Sequence, residues 1–145
     1  MIALRAIHGD RIKASAAKPP ADPGCQVVDP VIVGSLSLRR EGGPGQVVFE
    51  PPVTLGCAMA QRVSEWLDTS VQPLAQGHFE RDITSLRVGG GHECRRRNRS
   101  TAGPLSEHAT GLALDIFAFQ IGEQKDGVSV VVEKPAGLVQ SRFLD

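Results

Sequence analysis

The chain has 145 residues, with 16 Lys and Arg against 16 Asp and Glu, 41% hydrophobic and 4% aromatic, enough for one domain whose core rests on Val, Leu, Ile and Ala. Zero net charge argues against a nucleic-acid partner, because such domains displace counterions from phosphates with a positive excess. Apolar runs such as Val27–Val33 and Gly111–Ile121 stop well short of the ~20 residues a membrane-spanning helix needs, so no membrane span is expected.

Residues 1–24 are rich in Ala, Pro and Lys, show no sustained periodicity, and read as a flexible leader ending near Pro23-Gly24. Arg5, Asp10, Arg11 and Lys13 interrupt every apolar run there, so the segment is not a secretory signal. The folded domain is expected over residues 25–145. Gln26–Leu38 and Gln46–Leu55 are β-branched, partly alternating runs either side of Gly42-Gly43-Pro44-Gly45, a pattern that predicts a hairpin. Met59, Val63, Trp66 and Leu67 then share one stripe of a helix expected from Cys57 to Thr69, with that stripe facing the core. Pro73 either limits this helix or starts another. Asp82–Val88 predicts a strand ending at Gly89-Gly90-Gly91. Leu112–Ile121 and Val128–Glu133, joined by a polar Gly-Glu-Gln-Lys-Asp-Gly segment, predict a second hairpin. The fold class is α+β, an antiparallel sheet with flanking helices.

Cys25, Cys57 and Cys94 are an odd number without CxxC spacing. That speaks against a zinc knuckle or a thiol redox enzyme, and allows at most one internal disulfide plus one leftover thiol.

One stretch carries chemistry: Leu105-Ser106-Glu107-His108-Ala109-Thr110-Gly111-Leu112-Ala113-Leu114-Asp115-Ile116. A bare His-x6-Asp pair is weak evidence in a chain with four His. The surroundings sharpen it. If Gly111–Ile116 is extended, Gly111, Ala113 and Asp115 share one face and Leu112, Leu114 and Ile116 the other. Two small residues then leave open volume beside a carboxylate, with His108 in the preceding turn. Imidazole and carboxylate are ordinary Zn²⁺ ligands, and a catalytic zinc takes three protein ligands plus a water made acidic by the metal.

Ser106, His108, Gly111, Ala113 and Asp115 together match the SxHxxGxAxD motif, a coincidence on the order of 10⁻⁴ or less in a chain this short. Through it the segment resembles the zinc D-alanyl-D-alanine peptidase-like superfamily, which shares its fold with hedgehog domains. The similarity narrows to the bacterial extensin-like C-terminal family, over about residues 25–145. Cys25 precedes a Pro-Val strand, and Cys57 sits in Pro-Pro-Val-Thr-Leu-Gly-Cys-Ala-Met-Ala. The Trp66 helix leads to Val71-Gln72-Pro73, Cys94-Arg95-x-x-Asn98 follows, and the His108–Asp115 segment comes last.

The resemblance implies that His108 and Asp115 bind zinc and that Arg95 holds substrate or a developing oxyanion. It also implies hydrolysis of a peptide bond in peptidoglycan stem peptides and a periplasmic or cell-envelope location. Ser106, His92 and Asn98 are expected beside the metal or the substrate, Ser106 by capping or orienting the turn that carries His108. The family continues into a His-x-His segment that supplies the third ligand and the base, and this chain stops at Phe143-Leu144-Asp145 without it. The domain is therefore expected to be truncated at its C-terminus, and the rival expectation is a non-catalytic wall-binding or interaction domain. His92 is the candidate replacement ligand, while His8 and His78 read as surface residues. Glu107, pointing away from its neighbour His108, is not expected to act as base. Arg96, Arg97 and Arg99 are expected only to steer an anionic wall polymer. For an exported protein the resemblance further implies a Cys57–Cys94 disulfide, leaving Cys25 unpaired.

Overall fold

The computed structural model describes residues 12–14, 25, 27–40, 43–89, 107, 111–123, 125 and 127–145. Its frame is a six-stranded sheet in which spatial order equals chain order. The strands are β1 (Ile12–Ala14), β2 (Pro30–Arg40), β3 (Gly43–Gly56), β4 (Ile83–Val88), β5 (Ile116–Ile121) and β6 (Val128–Val131).

β2 and β3 form the expected hairpin, with Val31 opposite Leu55 and Leu36 opposite Val47. Gly43, Pro44 and Gly45, expected in the turn, extend the ladder instead by pairing with Arg40, Arg39 and Leu38. A register shift between Val33 and Ser35 leaves Phe49–Pro52 facing little but Gly34, and the Glu50–Pro51 peptide is cis. β4 and the β5–β6 hairpin also form where the sequence placed them.

Two expectations are corrected here. Ile12–Ala14 lies in the segment read as a flexible leader, yet it pairs with Val31–Val33 at the sheet edge, and the Ile12 side chain is fully buried. A three-residue strand gives no periodic signal of its own; its partner supplies the order. The sheet is also mixed rather than antiparallel, because β3 and β4 pair in parallel. The helical connection between them carries the chain back along the sheet, as a parallel pair requires.

That connection is one continuous helical run: α1 (Cys57–Trp66), a π-turn (Leu67–Val71) and α2 (Gln72–Phe79). Its buried residues are Ala60, Val63, Leu67, Val71, Gln72 and Ala75. The predicted stripe is thus rotated: Val63 and Leu67 face the core, Met59 does so in part, and Trp66 is 40% exposed. Pro73 stands in the first turn of α2, so it starts a helix, the second of the two expectations, without a break in the helical run. The Gln72 N–H donates to the Leu67 carbonyl, five residues back, and this wide turn directly ahead of Pro73 relieves the clash its ring would make with the preceding turn. Glu80 then closes α2 in the left-handed conformation, φ 56°, its N–H donating to the Gln76 carbonyl.

Cross-strand partners share a face. Phe49, Leu86, Phe119 and Val130 form one row across β3 to β6, all buried. The adjacent row, Val48, Ser85, Gln120 and Ser129, is half-buried to exposed. Among the described residues from β3 to β6, the sheet is covered on the face that carries Phe49 and Phe119. A final helix, α3 (Gly137–Leu144), is not anticipated by the sequence reading. Its Phe143 packs edge-on against Phe119 (5.4 Å between centroids) and Phe79 (5.5 Å), closing the core at the helix side. His78, read as a surface residue, is half-buried against the same ring at 6.3 Å.

Candidate functional site

The motif segment reaches the described structure at Gly111. This residue is buried with φ +70°, and its carbonyl accepts from the Gly56 N–H at 3.1 Å. A β-carbon there would lie 2.8 Å from both Gly56 N and Val27 Cγ1. Backbone conformation and space each demand glycine. The segment is thereby pinned to the start of α1, where the Cys57 N–H also donates to the Asp29 carbonyl at 2.9 Å.

Residues 112–115 are not a strand, so the expected Leu112–Ile121 strand is shortened to Ile116–Ile121. The left-handed Gly111 breaks the pleat, and Leu112 turns back to donate to the Glu107 carbonyl at 3.0 Å. Strict alternation fails accordingly: Leu112 is 52% exposed, while Ala113 and Leu114 are both half-buried. The segment rejoins the sheet when the Gly89 N–H donates to the Asp115 carbonyl at 2.9 Å.

Asp115 is exposed, and it stands at the lip of a cavity of about 590 Å³ lined by Leu114, Ile116, Phe117, Val131, Val132 and Glu133. The cavity is made by strand ends, and neither Gly111 nor Ala113, the small residues expected to leave space beside this carboxylate, is among its lining residues. Phe117 shapes it. This residue bulges between the Ile116–Val88 and Ala118–Arg87 pairs, and a β-carbon on Gly89 would lie 2.3 Å from its Cζ. Glu133 brings a second carboxylate to the lining, a contribution the sequence reading missed because nothing in Val128–Glu133 marks it apart from strand composition.

A second groove, about 370 Å³, lies between Met59, Arg62, Val63 and Trp66 of α1 and the same Leu114 and Ile116 that line the cavity. The sequence reading assigned Trp66 to the core. The available signal was the spacing of Met59, Arg62 and Trp66, which puts an arginine in the middle of an apolar stripe.

A third, polar cleft is lined by Gln76, Glu80, Arg81, Asp82, Thr84, Gly122 and Glu123. Gln72 and Gln76 both donate to Asp82 Oδ1 beside it.

The remaining candidates, His92, Cys94, Arg95, Asn98, Ser106 and His108, lie outside the described residues, as do Arg96, Arg97 and Arg99. Among the described residues no three His, Cys, Asp or Glu side chains gather as a metal cage, and no helix is long and apolar enough to cross a membrane.

The cysteine expectation is corrected. Cys25 is the disulfide-bonded residue, fully buried, with its partner outside the described residues. Cys57 is a free thiol, half-buried and packed against the hydrophobic core.

No curated protein and no solved structure matches the chain. The family model for the extensin-like protein C-terminus matches residues 4–145, which takes in the edge strand β1 as well as the motif segment, and the chain belongs to that family.

Proposed function

We propose that the domain is a zinc-dependent peptidase of peptidoglycan stem peptides, placed in the cell envelope by its substrate. In this reading its fold is related to that of the D-alanyl-D-alanine peptidases and hedgehog domains. The observation that carries the proposal is the setting of Asp115. It is an exposed carboxylate at the lip of a cavity, on a segment anchored at both ends by backbone hydrogen bonds to Gly56 and Gly89.

His108 and Asp115 would hold the metal; the donor set, one imidazole and one carboxylate, suits Zn²⁺. The bound ion would supply an activated water and a Lewis acid for the scissile carbonyl. The chain's own contributions are positional. Gly111 and Gly89 hold Asp115 in place through the backbone, and a pre-set ligand spends less binding free energy on ordering. Phe117, Val131 and Val132 give the cavity apolar walls, which keep water off a bound peptide. Arg95 would bind a substrate carboxylate or polarise the carbonyl, the task for which a guanidinium fork is suited.

The test is zinc stoichiometry of the purified chain under chelator competition, beside His108→Ala and Asp115→Ala. It is paired with an assay for D-alanine released from a stem pentapeptide. Tight zinc at one per chain, lost in both variants and accompanied by hydrolysis, supports the reading. Zinc at background in the parent chain overturns it.

A further inference from the structure

The groove along α1 is a different kind of surface from the cavity at Asp115. Met59, Val63, Trp66, Leu114 and Ile116 make its walls, and among the described residues Arg62 is the one charged side chain in the lining. Trp66 does not hang loose. Its ring meets Phe119 edge-on, with centroids 6.4 Å apart and planes at 60°, and Phe119 is itself only 7% exposed. One edge of the indole is thus held by the core while the residue remains 40% exposed toward the groove. An aromatic wall already set in its rotamer loses little entropy on binding, the property that makes tryptophan an anchor at recognition sites. Leu114 and Ile116 bracket Asp115 in the chain, and both also line the cavity at Asp115. The groove is therefore continuous with the candidate site.

We infer that this groove is a subsite for an apolar peptide side chain whose neighbouring carboxylate pairs with Arg62. Calling the ligand a peptide rests on the function proposed above. The apolar side chain follows from the lining and the carboxylate from charge complementarity. Arg62 is exposed and stands one helical turn before Trp66 on α1, so its guanidinium can follow the ligand's polar end while the apolar end sits on the indole. Among the lining residues no carboxylate competes for it.

The chain has a single tryptophan, so intrinsic fluorescence reports on this groove alone. The probes are N-acetyl-leucine and N-acetyl-leucinamide, which share the side chain and differ in the carboxylate, added to the full chain in the presence of a chelator. A saturable Trp66 signal is expected with the acid in the millimolar range usual for ligands of this size, with binding about tenfold weaker for the amide. Arg62→Gln should bring the acid down to the level of the amide and leave the amide unchanged. Asp115→Ala should retain the acid's binding. Four results overturn the inference: no saturable signal, equal binding of acid and amide, no effect of Arg62→Gln, or loss of the signal in Asp115→Ala. The last would place the probe in the cavity at Asp115 rather than in the groove. Because the assay is run without metal, a chain that fails the zinc test can still pass this one, and the two readings fail separately.

Discussion

The Gly56 amide donates to the Gly111 carbonyl at 3.1 Å, and a β-carbon on Gly111 would stand 2.8 Å from that same nitrogen. A single close approach of two backbones thus holds the motif segment to the first turn of α1. Gly111→Ala must both adopt φ +70° and push these backbones apart, and should lower stability by about 2 kcal/mol or more. Gly77 gives the contrast. It lies in α2 with nothing within 4 Å of its would-be β-carbon, so Gly77→Ala should raise stability by about 0.5–1 kcal/mol. Urea unfolding of the two variants checks the opposite signs.

Gln72 joins α2 to the start of β4. Its Oε1 accepts from the buried Ile83 N–H at 2.9 Å and its Nε2 donates to Asp82 Oδ1, although the residue is only 6% exposed. Gln72→Met keeps the volume and removes the acceptor of the Ile83 N–H. A loss of about 1–3 kcal/mol is expected, measured as a lower urea midpoint with the slope unchanged. A midpoint equal to the parent's would show that the Ile83 N–H finds another partner.

Ser35 is the converse case. It is 5% exposed and its Oγ has no hydrogen-bond partner among the described residues. Burying an unpaired hydroxyl is unfavourable, so Ser35→Ala should leave stability unchanged or raise it by up to about 1 kcal/mol. A clear loss in thermal unfolding would mean that the hydroxyl is in fact satisfied.

The cysteine pattern is checked by thiol counting. With Cys25 bonded and Cys57 free, protein prepared under oxidising conditions should release one thiol per chain on unfolding without reductant, and three after reduction. Peptide mapping should place the first label on Cys57. Label on Cys25 before reduction would contradict the assignment.

Much of the sheet could be read from composition, because Val31–Val33, Val47–Phe49 and Phe117–Ile121 combine β-branched or aromatic residues with turn signals at their ends. What composition does not carry is which strand lies beside which. The parallel β3–β4 pair and the edge position of Ile12–Ala14 are tertiary choices, invisible in either strand alone. Pro73 did mark the start of α2, but its local rule does not say that a π-turn upstream joins α2 to α1 without a break. At the site, the motif singled out Gly111, but as a small residue on a pleat, whereas its structural cause is a left-handed backbone packed against Gly56. The groove was not legible, since Trp66 on an apolar stripe looks like core until Phe119 is seen to hold only one edge of it. The cysteine pairing, taken from resemblance rather than from geometry, was the weakest inference.

Because spatial order in the sheet equals chain order, every strand from β2 onward docks on the one made just before it. No strand has to be inserted between two that are already paired. A chain emerging from the ribosome could therefore extend the sheet at a single growing edge, with the hairpin of β2 and β3 as its seed. The stretch between β4 and β5, residues 89–115, is then an excursion between two neighbours that pair antiparallel whatever it contains. Its sequence is free to change the chemistry it carries, so long as Gly89 and Gly111 keep their backbone contacts, without reopening the question of how the sheet assembles.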